Sequence, residues 1–289
     1  MTDPVSARIA RAYERACLAE LDALKPGNVH VFAAGHRMRV EDFRRSAVAS
    51  APELARPGTR VGERVVRAVR ATIECVGQNT NLGIVLLCAP LAAAAEREGA
   101  LRPALEGVLA GLDVEDARQV FAAIRLANPG GLGRASRHDV AEEPQVDLRT
   151  AMREAAATDR IARAYVTGFE DLFGMGLTAL AEARAQGLAE PWQATAIHLA
   201  FMAAFPDTHI RRKHGPAYAE DVRAEAAGLA RVLLSERDRT LDLLAFDISL
   251  KLRGINPGTT ADLTVATLFL AGLLGQNSEC ALSGPIRPG

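Results

Sequence analysis

ARIARAYERACLAELDALKPGN, residues 7–28, is the stretch whose reading decides the fold. Ile9, Tyr13, Ala16, Cys17 and Leu21 recur with a period near 3.6, which places apolar side chains on one helical face. That face stops at Lys25-Pro26-Gly27-Asn28, where proline and glycine impose a turn. A first helix over about residues 4–24 follows. Read outward, the same periodicity predicts helices near 41–55, 60–76, 82–97, 114–127, 192–204 and 259–274. Two longer patterns, near 147–187 and 216–250, are each expected to break once, the former near Gly174 or Gly176. Strand-like alternation is nearly absent and no fixed-period repeat is visible, so the expected fold is all-α: a compact multi-helix single domain over 1–289, with polar inter-helix loops forming the site.

Composition agrees. Apolar residues make up 49% of the 289 residues while aromatics reach only 4%, which calls for small aliphatic side chains on closely packed helices. The net charge of -1 argues against nucleic acid or a membrane surface as partner. Cys17, Cys75, Cys88 and Cys280 have neither zinc nor disulfide-framework spacing, which suits a reducing, cytoplasmic setting. The charged N-terminus lacks a signal-peptide pattern. The most apolar runs, Leu82 to Ala95 and Leu263 to Leu274, fall short of the roughly 20 residues needed to cross a bilayer and read as buried helices.

Five connections collect nearly all the glycine, asparagine, histidine and non-periodic charge: 25–38, 77–83, 128–139, 205–215 and 253–262. Loops on a helical scaffold are where sites are built. In NPGGLGRASRHD, Gly130, Gly131 and Gly133 allow successive N–H groups to converge on an anion, with Arg134 following, although no Walker motif is present. In FPDTHIRRKHG, Arg211 and Lys213, with Arg212 and His214, suit a polyphosphate; His209 belongs to the same segment. Asp207, beside these cations, is expected to be ionised, either as a magnesium ligand or as a stabiliser of positive charge. Asp139, Asp159 and Asp262 compete for those roles, with Asp139 the second candidate metal ligand. Thr259 and Thr260 read as caps of the last helix, and His198, on an apolar face, as a core histidine.

Taken together, LKPGNVH at 24–30, AGHRM at 34–38, QNTNLGIVLLCAPLA at 78–92, NPGGLG at 128–133 and NPGTTADLTVATLFL at 256–270 resemble the triphosphoribosyl-dephospho-CoA synthase family, the CitG and MdcB proteins, over roughly 15–275. The PGNVH and NTNLG elements look most like the branch found in archaea and methylotrophic bacteria. The resemblance implies an all-helical enzyme that uses ATP as substrate, with Mg2+. Ribose C1′ passes to the 2′-hydroxyl of dephospho-CoA, adenine leaves, and the triphosphate stays attached. It also implies that Lys25, Asn28, His30, Asn79, Thr80, Asn81 and Asn256 bind substrate and that His36 joins Asp207 and Asp262 in catalysis. Departures from the family pattern stand out at 79–83, where Asn81 and Leu82 replace a histidine and a lysine, and at Glu20, which lies one residue out of step with the family glutamate.

The leading expectation is therefore a pentosyltransferase that binds a nucleotide and a small-molecule acceptor and is able to form a homo-oligomer. Three readings compete. One is phosphoribosyl transfer to another alcohol in tetrahydromethanopterin biosynthesis. A second is a catalytically inactive nucleotide-binding helical protein, and a third is an N-glycoside hydrolase.

Overall fold

The computed structural model describes residues 3–31, 39–130, 137–233 and 240–282. Its described residues form α-helices and no β-strand. The first half comprises α1 (Pro4–Leu21), α2 (Val40–Leu54), α3 (Val61–Val76), α4 (Leu82–Ala95), α5 (Leu101–Ala110), α6 (Val114–Ala127) and α7 (Leu148–Ala155). The second comprises α8 (Arg160–Thr167), a π-helical turn (Leu172–Gly176), α9 (Leu177–Ala185), α10 (Glu190–Ala204), α11 (Thr208–His214), α12 (Pro216–Leu233), α13 (Thr240–Leu252) and α14 (Gly258–Leu282).

At the centre stands α4, apolar on every side and buried at eleven of its positions. A helix of that composition has no polar face to offer water and must be surrounded. α1, α3, α5 and α14 pack around it. Pro90 lies inside α4 and removes the N–H that the Leu86 carbonyl would accept. The Tyr165 hydroxyl, on α8, donates to that carbonyl at 2.7 Å, so the proline leaves no buried acceptor unmet. Small residues set the spacing elsewhere: a Cβ on Gly62 would lie 2.7 Å from the Asp116 backbone, which explains the close approach of α3 to α6.

Several parts of the sequence reading change, α5 and α11 being helices it does not contain. The 147–187 pattern is divided at Asp159, which caps α8, and at Gly168, whose φ of 66° ends it. Near Gly174 and Gly176 the chain forms the π-helical turn rather than a break. There a Cβ on Gly176 would meet Thr267 Oγ1 at 2.5 Å, so α14 leaves no room for a side chain. The last helix runs to Leu282, eight residues past its expected end. Its Gly258–Gly275 part is long and apolar enough to cross a membrane, but 61% of that window is buried, packed with α1, α4 and α10. Core burial accounts for its composition.

Candidate active site

Each of the five polar connections sends residues to one cavity of about 1100 Å3. The N-terminal ends of α4, α8 and α14 open onto it through Leu82 and Gly83, Asp159 and Ile161, and Gly258 and Thr259. Helix N-termini carry partial positive charge and unpaired N–H groups, so the cavity favours anionic ligands.

Glu20 lies on the cavity wall at the last turn of α1. The turn at 25–28 folds back so that the fully buried Lys25 ammonium pairs with Glu20 Oε1. The same ammonium donates to Asn28 Oδ1 at 3.3 Å, and Asn28 Nδ2 donates to Asn256 Oδ1 at 2.9 Å. One chain of contacts thus joins α1 to the segment before α14. Burial pushes Glu20 up and Lys25 down from their ordinary values, and each is opposed by the charge of the other. One-residue displacement from the family spacing does not remove Glu20 from the site, because the turn brings Lys25 to it.

Asp262 lies on the same wall, one turn into α14, with its carboxylate over Gly83. No hydrogen bond or ion pair reaches this carboxylate among the described residues. Burial raises it well above the usual carboxylate range, and the negative charges of Asp207, Glu20 and Asp159 add to that, with Arg212 opposing. Arg211, Arg212, Lys213, Arg137 and His138 line the same cavity. Arg212 Nη1 reaches Asp159 Oδ2 at 3.4 Å, and Lys213 Cε lies 3.6 Å from the position of a Cβ on Gly130. The described start of the glycine-rich segment therefore adjoins the cationic helix.

The residues singled out in the sequence divide into three groups. Asn28, Asn79, Thr80, Asn81, Gly130, Asp139, His209, Arg211, Lys213, Asn256 and Asp262 line the cavity. Lys25, His30 and Asp207 stand behind its wall. His36, Gly131, Gly133 and Arg134 fall outside the described residues.

Asp207 differs most from expectation. It is the N-cap of α11; Oδ1 accepts from Ile210 N at 3.0 Å, and Oδ2 accepts from Thr260 N at 2.7 Å and Thr260 Oγ1 at 2.8 Å. Its neighbours are neutral donors rather than guanidiniums, and burial raises its pKa while these donors oppose the rise. Asp207 ties α11 to the start of α14. His30 likewise bridges to α13, with Nε2 3.3 Å from both Asp247 Oδ2 and Lys251 Nζ. Three polar side chains at 79–81 serve the scaffold: Asn79 Oδ1 accepts from Leu82 N, Thr80 donates to Ser46, and Asn81 donates to Ser50. Sequence reasoning does not place Glu20 in the site, whereas Arg212 and Arg137, which belong to the cationic run and to the glycine-rich segment, line the cavity.

A magnesium site fits only in part. Among the described residues no group of three or more His, Cys, Asp or Glu side chains is placed to hold a metal. Magnesium commonly takes one or two carboxylates and completes its shell with phosphates and water. Asp139 and Asp159 are on the cavity wall and could contribute such a carboxylate; Asp207 is not.

The profile of the CitG family, described as ATP:dephospho-CoA triphosphoribosyl transferase, matches residues 6–280. The chain belongs to this family. A crystal structure of a candidate triphosphoribosyl-dephospho-CoA synthase from Archaeoglobus fulgidus superimposes with a TM-score of 0.63 at 26% identity, covering 78% of this chain and 96% of the other. A search of curated proteins found no match. In this member of the triphosphoribosyl transferase family, the residues gathered at the cavity come from both halves of the matched region, from Glu20 to Asp262. Leu82 is largely buried and gives the cavity apolar surface.

Proposed function

We propose that this protein transfers the triphosphoribosyl group of ATP to the 2′-hydroxyl of dephospho-CoA and releases adenine. The observation that carries the reading is that one cavity is lined both by the cations Arg211, Arg212 and Lys213 and by the acidic side chains Glu20 and Asp262. Cleaving the glycosidic bond develops positive charge on the ribose while the triphosphate remains intact. The cations offset the phosphates, and the acidic side chains serve the reacting ribose, its leaving base and the attacking hydroxyl. The phosphates need no Walker loop, because no phosphoanhydride bond breaks. The N-terminal ends of α4, α8 and α14 add partial positive charge to the cavity as a whole. Magnesium, entering with ATP and touched by Asp139 or Asp159, would supply further countercharge. Lining residues drawn from Glu20 to Asp262 support a single catalytic domain, and the use of ATP and dephospho-CoA supports a cytoplasmic reaction.

The test is incubation of the purified protein with ATP, magnesium and dephospho-CoA, with products followed by mass spectrometry. Adenine appearing one-for-one with a dephospho-CoA adduct carrying ribose and three phosphates supports the reading. Release of ADP, phosphate or pyrophosphate without adenine contradicts it. Adenine release that requires a different alcohol would keep the chemistry and change the acceptor.

A further inference from the structure

Two carboxylates share the cavity but not their surroundings. Glu20 has a buried ammonium on Oε1, and Oε2 accepts no hydrogen bond among the described residues. Asp262 has no such partner. The groups facing it are Glu20 on α1, Asp159 at the head of α8, Asp207 at the head of α11, the Arg212 guanidinium, the Lys25 ammonium behind Glu20, and the Cys17 and Cys88 thiols. Carboxylates outnumber cations in that company by three to two. One carboxyl is thus placed beside a cation and the other among carboxylates, an arrangement that separates an acid from a base within one site.

Glycosyl transfer from ATP needs both. As the C1′–N9 bond breaks, its electron pair moves onto adenine, which leaves more readily when a ring nitrogen takes up a proton. As the new C1′–O bond forms, the acceptor hydroxyl must lose one. We propose that Asp262 gives the proton to the departing adenine and that Glu20, held by Lys25, takes the proton from the attacking hydroxyl. Protons balance over the cycle: Asp262 ends ionised and Glu20 protonated, and exchange with water restores both. Lys25 is the positioning residue, keeping one Glu20 oxygen occupied while the other faces the cavity. This assignment rests on the transfer reaction proposed above and goes further by giving each carboxylate its own step. The raised pKa of Asp262 suits a group that carries a proton at rest.

The leaving group separates the two roles. N7-methylated ATP loses a neutral base and needs no protonation. Asp262→Asn should therefore lose about 10²- to 10³-fold in kcat with ATP yet return to within about tenfold of the parent enzyme with the N7-methylated donor. Glu20→Gln leaves a buried ammonium unpaired, so the decisive variant is Glu20→Gln/Lys25→Met, which removes both charges. It should keep its melting temperature, lose a similar factor with both donors, and lose the acidic limb of the pH profile of kcat. Equal impairment of Asp262→Asn with both donors would overturn the acid assignment, and near-parental turnover of the double variant would overturn the base assignment. Failure of the transfer reading itself shows separately, as no adenine release by the unaltered protein.

Discussion

The carboxylate of Asp262 occupies the space that a side chain at residue 83 would fill: a Cβ on Gly83 would lie 2.5 Å from Asp262 Cγ and closer still to Oδ2. Gly83 is at the second position of α4 and Asp262 is one turn into α14, so the absence of a side chain on one helix lets the other present its acid to the cavity. Gly83→Ala is expected to push the carboxylate aside. Turnover should fall by about 10²-fold, as expected when a catalytic group is displaced by about 1 Å. The overpacking should cost about 1–3 kcal/mol of stability. Steady-state kinetics and denaturant unfolding on the same preparation check both.

Asp207 and Asp262 should respond in opposite ways to the same change. Asp207→Asn places an amide where a carboxylate accepts from Ile210 N, Thr260 N and Thr260 Oγ1, and at least one donor then meets an NH2 group. A stability loss of about 1–3 kcal/mol is expected, read from urea unfolding. Asp262→Asn, with no recorded partner to lose, should unfold normally and turn over slowly. An Asp207 variant as stable as the parent but inactive would return that residue to the reaction.

Arg211 and Lys213 are exposed at the cavity mouth, where their loss leaves the core intact. Arg211→Ala and Lys213→Ala should each weaken ATP binding by about 1.5–3 kcal/mol, the scale of one hydrogen bond to a charged group. Melting temperatures should not move. Titration calorimetry at two salt concentrations checks this, with weaker binding at the higher one.

The sequence made some of this legible and not the rest, for identifiable reasons. The α1 face and the end of α1 at a proline-glycine turn could be read because burial on one side leaves a strong period. The sequence reads as a connection over α11 because the run of Arg211, Arg212, Lys213 and His214 hides the two buried positions, Thr208 and Ile210. α5 went unnoticed in a stretch punctuated by Pro103 and Gly107, although Leu101, Leu105, Val108 and Leu109 are buried. Asp159 and Gly168 were available as stop signals within 147–187, but the apolar pattern runs through them. Among site residues, the loops themselves were legible from composition. Glu20 was not, since a glutamate on a helix face becomes a site residue only once the 25–28 turn returns Lys25 to it. Nor could composition show that Asp207 Oδ1 caps α11 while Oδ2 is taken by Thr260 of α14.

The pKa of Asp262 makes a stability prediction with a definite sign. Its folded-state value is raised above the unfolded one, so the folded protein binds the proton more tightly. That contribution is fully present below the unfolded value near 3.8 and is lost as pH rises through the raised value. Asp262→Asn removes the titration. Melting temperature should therefore fall less steeply with rising pH in the variant than in the parent above about pH 4. Parallel curves would show that the carboxyl is not perturbed.

Following both ends of the donor in one experiment tests the central claim most directly. ATP labelled with heavy isotopes in its ribose and in its γ-phosphate is incubated with the protein and dephospho-CoA. Both labels are predicted to arrive together in the dephospho-CoA adduct, with unlabelled adenine released in equal amount. Separation of the labels, with the γ-phosphate free or the ribose still joined to adenine, would contradict the account.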